Sequence, residues 1–318
     1  MTATPLAGRR GPGEAARLWW AGARPRTLGV GAIPVLIGAA ASGHPRAWPT
    51  AGALVVAVGL QVGANLANDY FDGRRGVDTA ARVGPRRLTA SGLVQPGAVL
   101  AAALTSMTVA AGIGLWLALA SGLGWLVLAG ALALVAALLY TGGPHPYAAT
   151  GVLADLAVFV FFGLMATAGT AAVQGAGVPA RAWWAAVAIG LVAVAVLVAN
   201  NLRDVATDRD AGRHTLVVRL GDGPARRFYE TLIVTGVLVP TVGVLSGQLP
   251  LVALASLLAV PALVRPLRVA GDGDLQGRGL VPLLPLTARL HLALGVLLAA
   301  ALLAAALLPH AIGMAHLW

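Results

Sequence analysis

Asp69, Asp72 and Asp78 fall close together in a largely apolar chain, and Asn65 and Asn68 lead up to them. A second cluster, Asn200-Asn201-Leu202-Arg203-Asp204 through Asp208-Arg209-Asp210, repeats the pattern. Asn68, Asp72 and Asp78 reappear at one common offset as Asn200, Asp204 and Asp210. On a helix, residues three or four apart share a face, so Asn65, Asn68, Asp69 and Asp72 form one stripe and Asp204 and Asp208 another. Two such stripes facing one cavity suit Mg2+, which takes oxygen ligands and is usually held by one or two carboxylates plus substrate phosphate oxygens. Arg74, Arg75, Arg82, Arg86 and Arg87 follow the first cluster, and Arg209, Arg213 and Arg219 the second. Guanidinium groups make forked, charge-assisted contacts with phosphate. Metal plus arginine around a diphosphate, opening into an apolar bundle, would serve ionisation of an allylic diphosphate whose tail lies among helices.

Simpler readings exist for each part. The carboxylates could be interfacial polar residues at helix ends, but there they face the negative end of the helix dipole, which disfavours them by about 0.3–1 kcal/mol each. Acids deeper in a bilayer cost about 2.5–3.5 kcal/mol on insertion scales. Doing this twice, in matched places, calls for a compensating cation. Asp78 and Asp210, taken singly, fit the simpler reading better. Most of the arginines are explained as topology signals, and a role at phosphate is expected only for Arg82, Arg86, Arg87 and Arg213.

The elements that must position these groups are membrane helices. The chain is 58% hydrophobic and 11% charged over 318 residues, a balance foreign to soluble domains. Its formal net charge of +10 would suggest nucleic acid in a soluble protein, yet in a membrane protein basic residues first set topology. All 22 basic residues are Arg, which excludes Schiff-base and lysine-base chemistry. With no Cys there is no disulfide framework or thiolate site.

A spanning helix needs about 20 mostly apolar residues. Segments of roughly that kind run over 27–42, 48–71, 97–120, 122–140, 151–174, 182–202, 225–246, 249–267 and 286–308. The expected architecture is therefore an all-α integral membrane bundle of nine transmembrane helices with an internal pseudo-repeat. Residues 1–26 form a basic cytosolic tail, 27–308 a single transmembrane domain and 309–318 a short C-terminal tail. Pro34 and Pro261 mark the two segments expected to bend or tilt. With the N-terminus cytosolic, only Arg46 and Arg181 fall outside, which is the positive-inside pattern. Nucleic-acid binding is excluded on that ground, and the lipid bilayer is the expected surrounding. Both acidic clusters then end helices at the cytosolic face of the cell membrane.

Asn68-Asp69-Tyr70-Phe71-Asp72, Gly76 and Asp78, then Arg86-Arg87-Leu88-Thr89-Ala90-Ser91-Gly92, and later Asn201-Leu202-Arg203-Asp204, Asp208-Arg209, Gly212-Arg213, Thr215-Leu216 and Arg219-Leu220-Gly221 closely resemble the UbiA-type intramembrane prenyltransferases. Arg24-Pro25-Arg26-Thr27, Tyr140-Thr141-Gly142-Gly143-Pro144 and residues 283–289 look like the naphthoate branch of menaquinone biosynthesis. The resemblance implies Mg2+-dependent transfer of a polyprenyl group from polyprenyl diphosphate to 1,4-dihydroxy-2-naphthoate, with loss of CO2, giving demethylmenaquinol. By position it assigns metal and diphosphate binding to Asn68, Asp69, Asp72, Asp204 and Asp208, and diphosphate contacts to Arg82, Arg86, Arg87 and Arg213. The chain departs from the common pattern in having Arg213 where Lys is frequent and Asp155 where Glu is expected.

Asp155 lies inside the fifth apolar segment and could orient or deprotonate an acceptor hydroxyl, or simply sit near a helix start. Tyr140 and Tyr147 could line the acceptor pocket or belong to the interfacial aromatic belt. Two rival functions remain: prenylation of another acceptor (4-hydroxybenzoate, a chlorophyllide or haem), and cation-coupled transport. The second fits less well, because transporter sites lie near the midplane and these clusters lie at one face.

Overall fold

The computed structural model describes residues 11–76 and 87–311, and every element with more than one turn in it is helical. Asp78, Arg82 and Arg86 lie outside the described residues. Helix α1 (Pro12–Ala23) and α2 (Pro25–Ala41) meet at Arg24, whose backbone is left-handed at φ 56°. Pro25 occupies the first turn of α2, where its missing N–H goes unused and its fixed φ suits a helix start. The stretch expected to be a tail thus contains a helix. Leu18 and Trp19 pack against the cluster of Leu66, Ala67 and Leu88, and the Asn65 amide donates to the Ala23 carbonyl at 3.0 Å.

The remaining helices are α3 (Ala47–Arg75), α4 (Pro96–Ala120), α5 (Trp125–Leu139), α6 (Val152–Gly175), α7 (Ala180–Asp210), the short α8 (Leu216–Leu220), α9 (Asp222–Leu245), α10 (Leu251–Gly271) and α11 (Leu283–Ala311). Among the described residues, seven helices are long and apolar enough to cross a membrane: α3, α4, α6, α7, α9, α10 and α11 with the turn before it. Helices α2 and α5 are apolar but shorter. The chain is a multi-pass membrane protein.

Two of these helices are irregular, and only one was expected to be. The first part of α10, Leu251–Ala259, is wound as a 3-10 helix, and the α-helix begins at Val260 with Pro261 in its first turn. There the proline ends one winding and starts another. In α6 the ladder slips into π-turns over Phe159–Met165 and again over Ala172–Ala176. Such bulges are uncommon and often sit at functional sites; no residue pattern in α6 announces them.

Helix α7 is the most enclosed of the spans. Its Val192, Val198 and Leu202 share a core with Tyr229, Ile233 and Leu290. Against α6 it packs backbone to backbone: a Cβ placed on Gly163 would stand 2.6 Å from the Gly190 Cα. Small residues permit this approach where lipid gives no hydrophobic drive for association. Gly163→Ala is expected to lower stability by about 1–3 kcal/mol through overpacking, read as a fall in unfolding temperature in detergent. An unchanged temperature would show that the crossing yields readily.

Candidate active site

The C-terminal turns of α3 and α7 bring the two acidic clusters to one cavity of about 1180 Å³. Asn68, Asp69, Asp72, Arg87, Asn200, Asp204, Asp208 and Arg213 all line it. Its walls beyond them are largely apolar, with Val56, Leu60, Leu126, Phe161, Phe162 and Met165 among them. That volume exceeds the usual 300–1,000 Å³ of a small-molecule pocket, so it suits a long apolar molecule with a polar head.

Asp69, although it borders the cavity, uses both oxygens structurally. One accepts from the Leu88 amide and the other from the Thr89 amide, both at 2.8 Å. This clip holds the segment that carries Arg87, whose guanidinium lies 3.5 Å from the Asp72 carboxylate. Both members of that pair are buried. Asn68 accepts a hydrogen bond from the Thr141 hydroxyl at 2.6 Å, and Arg75 donates to the carbonyls of Thr141 and Gly143. The turn after α5 is thereby fastened to α3. Gly142 is required there, since a Cβ would stand 2.9 Å from the Phe71 ring.

On α7, Arg203 forks onto Asp204, with Nε at 2.7 Å from Oδ1 and Nη2 on Oδ2. The same Nη2 donates to Asn200 Oδ1 at 2.8 Å. One turn on, Arg213 faces Asp208 at 3.6 Å, and its amide donates to the Asp208 carbonyl at 2.9 Å. Each of the three acids Asp72, Asp204 and Asp208 therefore carries an arginine. Arg203 is 5% exposed and lines the cavity, yet the sequence reading gave it no role of its own. The available signal was a cation near the end of an apolar helix, which in a membrane protein marks a site by default.

Tyr140 and Tyr147 also line the cavity and meet edge to face, with ring centroids 5.4 Å apart. The Tyr147 hydroxyl donates to the Ala136 carbonyl at 2.8 Å. Burial pushes the Tyr147 phenol above its ordinary pKa, with Tyr140 adding to the rise, so it stays a neutral donor. Asp155 is 5% exposed in the first turn of α6, the helix-start position that is one of its two readings, and the cavity wall takes in its neighbours Ala157, Val158 and Phe161. Neither of its oxygens has a hydrogen-bond partner among the described residues.

Among the described residues, no three His, Asp or Glu side chains converge into a ready-made metal cage. The donor set nonetheless fits Mg2+, because Asp72, Asp204, Asp208 and Asn68 offer oxygen only, and that ion is held by few protein ligands and completed by phosphate. Guanidinium groups such as those paired with the three acids form charge-assisted hydrogen bonds with phosphate oxygens in general.

A large, mostly apolar cavity in a helical membrane bundle, with paired carboxylates and arginines in its lining, defines the class: a multi-pass membrane protein with a charged cluster at an internal cavity. The chain belongs to the UbiA prenyltransferase family, whose model matches residues 31–278. It is 44% identical over 271 residues to a 1,4-dihydroxy-2-naphthoate octaprenyltransferase of Mycobacterium tuberculosis, covering 84% of this chain and 90% of that protein. A protein of the same name from Escherichia coli is 36% identical over 259 residues, covering 79% and 83%. Among solved structures, a UbiA homolog from Archaeoglobus fulgidus bound to GPP and Mg2+ shares the fold with a TM-score of 0.67 at 16% identity, over 89% of this chain and 99% of that one. The apo UbiA homolog from Aeropyrum pernix K1 gives 0.65 at 18% identity, over 86% and 95%.

Proposed function

We propose that this prenyltransferase moves a polyprenyl group from its diphosphate to 1,4-dihydroxy-2-naphthoate, with loss of CO2, yielding demethylmenaquinol. One observation carries the chemistry: two matched carboxylate clusters, each paired with arginine, at the ionic end of one long apolar cavity. The choice of acceptor is supported by the 44% identity to a protein named for that activity. The bundle crosses the membrane nine times, counting α2 and α5 as spans, with the N-terminus and the site on the cytosolic side. The distribution of arginine supports that orientation.

Asp72, Asp204, Asp208 and Asn68 hold Mg2+ and the diphosphate, and Arg87 and Arg213 turn from their acids to phosphate oxygens. Arg82 and Arg86, which lie outside the described residues, are assigned the same role from the sequence. Asp69 contributes by fixing the Arg87 segment. Bound Mg2+ would neutralise charge on the departing diphosphate. The allylic C–O bond breaks with the electron pair leaving on oxygen, and the guanidinium groups stabilise that charge as it develops. Apolar walls such as Phe161 and Phe162 keep water from the cation. The cation bonds to the ring carbon bearing the carboxylate, near Tyr140 and Tyr147. Departing CO2 leaves its bonding pair to restore aromaticity, so no side chain has to remove a proton from that carbon.

The test is an acceptor panel with purified protein, labelled polyprenyl diphosphate and Mg2+. Prenylated naphthol with stoichiometric CO2 is expected from the naphthoate and nothing comparable from 4-hydroxybenzoate, chlorophyllide or haem. Turnover of one of those instead would replace the acceptor, and none at all would remove the reading.

A further inference from the structure

A second recess, of about 440 Å³, lies between α10 and α11 and is lined by Arg265, Arg268 and Arg289 together with Pro282, Pro285 and Leu286. Among the described residues none of these three guanidinium groups has a hydrogen-bond or ion-pair partner, and all three are exposed. Arginines that merely set topology need only lie on the correct side of the membrane; they have no reason to converge on a recess. Arg265 and Arg268 are three residues apart on α10 and so share a face, and Arg289 comes from the neighbouring helix.

The chain just beyond Arg268 is firmly held. Buried Arg226 on α9 donates to the carbonyls of Ala270 and Asp272 at 2.9 Å each and to that of Leu275, while its Nε bonds Asp222 at 2.8 Å. These contacts fix the end of α10 and the turn that leads to α11. Chain direction puts this end on the same membrane face as the Asp204 cluster, since α7 ends and α9 begins there and α10 returns to it. Towards the membrane interior the arginines give way to exposed apolar residues. Val260 and Val264 lie two turns and one turn before Arg268 on α10, and Leu292 and Val296 follow Arg289 on α11. A ligand for this recess must be anionic at one end and apolar beyond it.

We infer that the recess between α10 and α11 binds the phosphodiester headgroup of an anionic membrane phospholipid, with its acyl chains along Val260, Val264, Leu292 and Val296. Basic pockets between membrane helices at the charged face commonly recognise such headgroups. Pro285 lines both this recess and the large cavity, so a lipid seated here braces one wall of the active site.

The full chain, purified in a detergent with a neutral headgroup, is offered phosphatidylglycerol, phosphatidylcholine or inorganic phosphate. Bound lipid is read by native mass spectrometry, and protection by each addition is read from the unfolding temperature. The wild type is expected to retain phosphatidylglycerol over phosphatidylcholine. Arg265→Gln, Arg268→Gln and Arg289→Gln should each weaken that retention about fivefold, following the usual contribution of a basic residue near an anionic surface. Prenyl transfer by each variant in neutral lipid should match the wild type, which reports an intact fold. Equal retention of the two lipids, retention unchanged in the single variants, or protection by inorganic phosphate without lipid retention would each overturn the inference.

Discussion

Asp72→Asn is expected to lower prenyl transfer by about 10²–10³-fold, the scale seen when one preorganised charge-stabilising group is removed from an active site. The substitution keeps the size of the side chain, so the turn of α3 and its packing on Thr141 stay in place. What changes is the charge: Asn offers Mg2+ a neutral oxygen, and Arg87 loses the carboxylate 3.5 Å away that now holds it. Initial rates measured across a Mg2+ titration separate this from a folding defect. The variant should need more Mg2+ for half-maximal rate and remain slow at saturation. Near-normal turnover at limiting Mg2+ would remove Asp72 from the metal site.

The second large effect concerns stability and activity together. Arg203 is buried and forks onto Asp204, so Asp204→Ala leaves a guanidinium in a low-dielectric place without its main counter-charge. Breaking a buried pair from one side typically destabilises by about 3–5 kcal/mol. Replacing both partners, Arg203→Gln with Asp204→Asn, should recover much of that loss, because two neutral amides can bond to each other and to Asn200. Activity should not return, since the double variant still lacks the carboxylate. Unfolding temperature and turnover measured on both variants test this pair. Recovered transfer in the double variant would mean that Asp204 serves the fold alone.

Polar residues in apolar helices are costly enough to stand out, and for that reason the two clusters could be read from the sequence. The hydrophobic runs likewise outlined the helices, although α2 and α5 are shorter than ordinary spans. What stayed hidden depends on contacts between distant segments. Nothing local distinguishes Asp69 from Asp72; only the arrival of the Leu88 and Thr89 amides gives Asp69 a structural task. The pairing of each acid with a particular arginine, the π-turns of α6 and the docking of α1 are likewise set by packing. For Asp155 the helix start could be read but its neighbours could not, because depth within a helix does not say which side chains it meets.

The pairing of Asp72, Asp204 and Asp208 with arginine makes the resting site a set of occupied handshakes. A divalent cation arriving alone would leave displaced guanidinium groups in an apolar bundle, and a diphosphate arriving alone would leave bare carboxylates. Only when the two come together does each released partner find a new one. On the proposed function the site would act as a coincidence detector, indifferent to free magnesium or stray phosphate and responsive to the combination that begins the reaction.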